Sequence, residues 1–299
     1  MNRPFLEIFA NRCDFPEESY TALESALTAL TDGGHAAEFE ALLSAFIESG
    51  YTHEPANTNI KAFAERICLS EYTVWMLILI FAAESARPAY RDDDIYWASF
   101  SDFKAKLIEC KDLHGVWGTF VPNWFAPRFF RANILKLGRL EYEITTYRDD
   151  KPYVCGNITV NPGDPVKNIH IPSNFGSLDK ESRMDSYRKA YAYFSNELNG
   201  KPLICMCHSW LLFAENEKIL PASSKILDFA RDFDIIKQDT QDTFVNAWRV
   251  YGNEHTKPFA ELPEHTSMQR GYKQFLLSGG KTGTGFGVLI FDGEKIINQ

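Results

Sequence analysis

The chain has 299 residues, with 31 basic against 40 acidic side chains and a formal charge of −9. Hydrophobic residues at 45% and charged residues at 24% are globular proportions that argue against long disorder, and the length accommodates two domains. The acidic balance gains no counterion-release attraction to a polyanion, so no nucleic-acid partner is expected.

The N-terminal part repeats a helical pattern. Tyr20, Leu23, Leu27 and Leu30 recur at helical spacing up to Gly33-Gly34. Phe39, Leu42, Leu43, Phe46 and Ile47 mark a second helix ended by Gly50, and Ile60, Phe63, Ala64 and Ile67 a third. Ser70 stands as N-cap before a strongly apolar helix reaching about Ala86, with Pro88 beyond it. Its most apolar part, Val74 to Ala83, falls short of the roughly 20 residues that span a bilayer and reads as a buried core helix. Ser101 is placed to cap a further helix through Leu107 to Cys110. No strand is expected before about residue 138. Residues 1–135 therefore read as an all-helical N-terminal domain.

Between 115 and 131 the periodicity fails. Trp117, Phe120, Trp124, Phe125, Phe129 and Phe130 crowd around Gly115, Gly118, Pro122 and Pro127, as in a ligand-pocket lining or, more commonly, a seam between domains. After Gly138 the period becomes two: Leu140, Tyr142 and Ile144 alternate with Glu141, Glu143 and Thr145. A turn at Arg148–Pro152 leads into a returning strand, Tyr153 to Val160, and Pro162-Gly163-Asp164 turns into another, Val166 to Ile171. A helix is expected over Asp179 to Leu198 and an apolar strand over Leu203 to Leu212. A short helix around Ile226–Ala230 follows, then strands Phe233–Lys237 and Phe244–Tyr251, a helix His265–Leu277 and a closing strand Phe286–Phe291. Residues 136–299 thus form a mixed-sheet domain, and the whole is α/β in the α+β arrangement.

Six cysteines stand at 13, 68, 110, 155, 205 and 207. No two pairs have zinc-ligand spacing, so no metal is expected and the thiols read as buried and reduced. The start, Met1-Asn2-Arg3-Pro4, lacks the apolar core of an export signal, and a cytoplasmic chain with no membrane partner is expected.

Several short motifs compete for a chemical role. Gly280-Lys281-Thr282 is no P-loop, because Phe275 stands where the first glycine must be and a helix precedes it. Lys281-Thr282-Gly283 with Ser101-Asp102-Phe103-Lys104 matches fragments of serine penicillin-recognising hydrolases, although no S-D-N lies between them and a second S-x-x-K occurs at Ser186–Lys189. A third candidate is His170-Ile171-Pro172 at a strand end, followed by the loop Ser173-Asn174-Phe175-Gly176-Ser177-Leu178 and a helix. A loop opening onto a helix N-terminus offers free N–H groups to an anion, and Asp179 or Ser177 would be the cap. The fourth, Cys207-His208-Ser209-Trp210, places an imidazole and a hydroxyl on the next strand as possible proton carriers.

Ordered residues then carry a resemblance. Leu137-Gly138-Arg139-Leu140-Glu141, His170-Ile171-Pro172 with Gly176 and Leu178, Ser186-Tyr187, Ser209-Trp210-Leu211-Leu212, Leu220-Pro221, Ser224, Arg231, Leu262-Pro263, Thr266-Ser267, Gln269-Arg270, Gly279-Gly280, Gly285 and Gly287 resemble the GNAT-like domain of bacterial acyltransferases that carry a helical N-terminal domain. The resemblance covers about residues 137–293. It implies an N-acyltransferase that moves an acetyl or other acyl group from acyl-CoA, its co-substrate, to a small amine. It further implies that the pantetheine arm lies between the strands Val166–Ile171 and Leu203–Leu212. Ile171, Ser173, Asn174, Phe175, Gly176, Ser177 and Leu178 would hold the pyrophosphate, His170 would be general base, and Ser209 or His208 would protonate the leaving sulfur. Two departures stand out. Only Gly176 remains of the usual Q/R-x-x-G-x-G/A loop, and Lys225 replaces the usual Asn after Ser224. The worn loop also fits a non-catalytic acyl-CoA or small-molecule binding protein on the same fold.

Overall fold

The computed structural model describes residues 2–173 and 175–298. The chain forms two compact units, Met1–Leu135 and Lys136–Gln299.

The first unit is helical: α1 (Arg3–Arg12), α2 (Glu17–Asp32), α3 (Ala36–Glu48), α4 (His53–Arg66), α5 (Glu71–Ala86), α6 (Asp93–Phe100), α7 (Asp102–His114) and the single turn α8 (Pro122–Phe125). Every residue of α5 from Thr73 to Ala83 is buried. A helix apolar on all sides must be enclosed, and α1 to α4 and α8 all contact it. Ser70 holds the N-cap position of α5 with extended backbone, but its hydroxyl makes no cap bond. The buried members of the aromatic segment pack within the helical unit. Phe125 packs edge-on against Phe103, Phe129 against Phe125, and Phe130 against Phe46, inside the helical unit's own core.

The second unit contains a six-stranded sheet in the order β1-β2-β5-β6-β8-β7 and a separate two-stranded hairpin of β3 and β4. The strands are β1 (Ile134–Leu137), β2 (Leu140–Thr146), β3 (Tyr153–Cys155), β4 (Ile158–Val160), β5 (Pro165–His170), β6 (Leu203–Ser209), β7 (Asp234–Thr240) and β8 (Gly283–Phe291). Pairs β2–β5, β6–β8 and β7–β8 are antiparallel, whereas β5–β6 is parallel. The helices are α9 (Lys180–Tyr193), α10 (Ser195–Leu198), α11 (Asn216–Ile219), α12 (Lys225–Ala230), α13 (Ala247–Tyr251) and α14 (Ser267–Leu277).

Four expectations are corrected. A strand, β1, begins before residue 138; all four of its residues are buried, so no alternation marks it. Tyr153–Val160 does not return along β2 but folds on itself as β3–β4. Phe244–Tyr251 is no strand: its second half is α13, whose Val250 and Tyr251 pack with Leu262, Tyr272 and Leu276 in a local core. The helix after residue 179 breaks at Phe194 between α9 and α10.

Strand alternation assigns two faces. One carries Tyr142, Lys167, Cys205, Leu289 and Phe291. Here α9 covers the sheet: Ser186 meets the Tyr142 hydroxyl at 3.0 Å, and Tyr187 and Tyr191 pack on Phe291. The other carries Val166, Met206, Val288 and Ile290, which Tyr153 and Val160 of the hairpin cover. Toward the C-terminal ends of β5 and β6 this second face turns polar.

Candidate active site

The polar end of that face is built by register. Glu141 lies opposite His170 and Glu143 opposite Asn168 on β2 and β5. All four therefore project the same way. Glu143 Oε2 lies 2.9 Å from His170 Nε2 and accepts from Asn168 Nδ2 at 3.0 Å. The other carboxylate oxygen is 3.6 Å from Arg148. Glu141 is 1% and Glu143 9% exposed, so both carboxylates of this row are largely desolvated. Burial pulls the neighbouring Arg139 guanidinium below its ordinary value, with the Glu141 charge opposing, and Arg139 donates to the Pro172 carbonyl at 3.0 Å.

Beside this row the sheet opens. On its outer side β5 stays paired to β2 up to His170, and β6 stays paired to β8 up to Ser209↔Gly285. Between them the parallel pairing covers only Lys167↔Cys205 and Asn168↔Met206. Beyond that point no register pair joins the rest of β5 to Cys207, His208 or Ser209 of β6. Two neighbouring strands held by their outer partners and released from each other diverge as a wedge.

Above the wedge lies the loop from Ile171 to Leu178. Gly176 sits at φ +79, a left-handed conformation that glycine adopts without strain. Among the described residues, the backbone N–H groups of Gly176, Ser177 and Leu178 donate to no protein acceptor. Ser173 and Phe175 belong to the same half-buried loop, and Asn174 lies outside the described residues. Lys225 Nζ, at the start of α12, reaches Ser177 Oγ at 2.5 Å, which brings a cation to the loop in place of the expected Asn. The cap of α9 is Asp179, not Ser177: its carboxylate accepts from Ser182 N–H at 3.0 Å. That backbone bond, with those of the Ser177 and Ser182 hydroxyls, holds the Asp179 carboxyl down at about 2. The loop is braced from below by Arg183, fully buried, which donates to the Leu178 carbonyl at 2.7 Å and to Asp232 at 2.6 Å.

The three residues proposed for proton transfer are not equivalent. His170 and His208 face the same side, at matching levels across the wedge. His208 is exposed and bonds Thr284 Oγ1 at 2.9 Å. Ser209 belongs to the opposite face, where its hydroxyl accepts from Leu211 N–H at 3.2 Å and caps the turn 210–212. Cys205 and Cys207 point to the α9 side; burial pushes the Cys207 thiol up to about 12 and Cys205 higher still, so neither is a ready nucleophile. Glu143 is the residue sequence reading missed. It alternates like a solvent-facing strand residue, and only its register opposite Asn168 reveals its place. The penicillin-type fragments fall in different units, and the lysines and serine are engaged locally. Ser101 donates to the Ala98 carbonyl at 2.5 Å, Lys104 pairs with Asp14, and Lys281 is bound to Asp242 at 2.8 Å.

Residues 134–289 match the family described as the GNAT-like C-terminal domain, and residues 4–132 match the N-acyltransferase N-terminal domain. Among solved structures, an acyltransferase in complex with decanoyl-CoA aligns at 21% identity and TM-score 0.59, over 73% of this chain and 65% of that one. An acyltransferase with decanoyl-CoA and teicoplanin aligns at 16% identity and TM-score 0.74, over 95% of this chain and 87% of that one. A complex with CoA and 10C-teicoplanin gives the same figures, 16%, 0.74, 95% and 87%. At such identities the likeness establishes the fold. The chain spans about two thirds of the first of these proteins, 65% of its length. No curated protein matches the sequence.

Proposed function

The chain belongs to the family of the GNAT-like C-terminal domain, as an acyltransferase with an N-acyltransferase N-terminal domain ahead of it, and from that premise we propose that it is an acyl-CoA-dependent N-acyltransferase. The observation that carries this reading is the wedge between β5 and β6, where pairing stops after Asn168↔Met206. A pantetheine arm is an extended chain with two amides. It can bond the backbone groups that the diverging strands do not offer each other. The free N–H groups of Gly176, Ser177 and Leu178, with the Lys225 ammonium, suit the diphosphate at the head of the arm. The thioester then lies beside His170.

In the reaction, the acceptor amine gives a proton to His170 as its lone pair forms the C–N bond to the thioester carbonyl carbon. The C–S bond breaks, and the departing thiolate is protonated. His208, on the same face, is better placed for this than Ser209, whose hydroxyl is tied into a cap. The decanoyl-CoA bound in the related structures supports testing medium-chain donors such as octanoyl-CoA beside acetyl-CoA, and the bound teicoplanin supports acceptors larger than a simple amine. Localisation in the cytoplasm belongs to the same proposal; among the described residues no helix is long and apolar enough to cross a membrane.

The test is thiol release from octanoyl-CoA with a panel of amines, for wild type and His170→Ala. The expected result is amine-dependent release that falls by roughly a hundredfold or more in the variant while acyl-CoA affinity is kept. A second reading, binding without turnover, is favoured by the worn glycine loop. Octanoyl-CoA binding with no release, indifferent to His170→Ala, would establish it instead.

A further inference from the structure

We infer that Glu143 is the positioning residue that makes Nδ1, not Nε2, the basic nitrogen of His170. The inference rests on the reading of His170 as general base.

The argument is one of donors and acceptors around a single oxygen. Glu143 Oε2 meets two nitrogens, His170 Nε2 at 2.9 Å and Asn168 Nδ2 at 3.0 Å, and those nitrogens lie 3.2 Å apart. A carboxylate oxygen only accepts. Turning the Asn168 amide over would set its carbonyl against the carboxylate, so its NH2 must face Glu143. A bare Nε2 could accept the second Asn168 N–H at 3.2 Å, but its lone pair would then face the carboxylate oxygen at the shorter distance of 2.9 Å; the charge-assisted bond decides, and Nε2 carries the hydrogen. The carboxylate thus selects the ring tautomer and the amide orientation together, and the lone pair of the neutral ring is left on Nδ1.

The arrangement also has an energetic role. When Nδ1 takes the proton from the acceptor nitrogen, positive charge develops on a ring whose other nitrogen is already bonded to Glu143, which is 9% exposed. In such a partly desolvated setting the attraction is stronger than in water. In this role Glu143 only accepts a hydrogen bond and transfers no proton. Glu141 opposite His170, and Arg148 at 3.6 Å from the far Glu143 oxygen, are the other charged groups of the row.

The experiment uses the full chain labelled with ¹⁵N-histidine. The chain has seven histidines, and the His170 signals are assigned by their loss in His170→Gln. Above the pH at which the rings are protonated, the expected spectrum shows Nε2 as N–H and Nδ1 bare. Glu143→Gln is expected to give a mixture of tautomers. It should also lower kcat for octanoyl-CoA with benzylamine by roughly a hundredfold, with KM for octanoyl-CoA changed less than about twofold. An Nδ1–H tautomer in the wild type overturns the inference, and so does a tautomer ratio unaltered by Glu143→Gln. The wild-type spectrum decides the point even if the variant does not fold. Failure of both proteins to bind octanoyl-CoA would remove the acyltransferase reading and leave the tautomer result standing by itself.

Discussion

At the scale of single residues, the loop above the wedge combines attraction with one repulsive element. Lys225 and the free N–H groups favour a diphosphate, whereas Asp179 sets a carboxylate at the N-terminus of α9. Asp and Asn cap helices about equally well, so Asp179→Asn removes the charge and keeps the cap. Octanoyl-CoA affinity is expected to rise about threefold in titrations at low salt and to approach wild type at high salt. Unchanged or weaker binding would show that the diphosphate does not lie there. The same substitution has a pH signature. Asp179 is held at about 2, below its ordinary value of 3.8, so its ionised form stabilises the fold above pH 3.8, and that contribution is lost as pH falls toward 2. The wild type is therefore expected to lose melting temperature relative to Asp179→Asn across that window, as followed by circular dichroism.

At the scale of elements, the wedge depends on β6 being held from its far side. Gly285 of β8 pairs with Ser209, and the turn 210–212 lies on top of it. A Cβ at Gly285 would stand 2.2 Å from the Leu212 carbonyl oxygen, an overlap that backbone must move to relieve. Gly285→Ala is expected to destabilise the chain by about 1–3 kcal/mol in urea unfolding. It is also expected to weaken acyl-CoA binding more than Gly176→Asn, a substitution that tolerates positive φ. An Ala variant with wild-type stability and binding would mean that β8 and the 210–212 turn do not fix the wedge. Sequence reading captured elements according to their physical signal. The helices α2, α3 and α5 announce themselves by spacing or sheer apolarity, and β2 by strict alternation. The short α1 and α6, at 10 and 8 residues, offer too few turns to display a helical period, β1 is buried on every residue, and the Val- and aromatic-rich Phe244–Tyr251 resembles a strand until its local core bends half of it into α13.

At the scale of the whole molecule, each unit carries its own core, and the candidate site lies in the second. The helix-then-sheet order was legible because the hydrophobic period changes from 3.6 to two after Gly138. The candidate site was legible only where it follows chain order, as in His170 with the Ser173–Leu178 loop. The Glu143–His170 contact joins residues 27 apart in sequence, through a register that no local pattern specifies. The opening between β5 and β6 is likewise a property of four strands at once. Calorimetric titration of the full chain with octanoyl-CoA tests that opening most directly: one molecule bound per chain is the expected result, and no heat of binding with octanoyl-, decanoyl- or acetyl-CoA would contradict it.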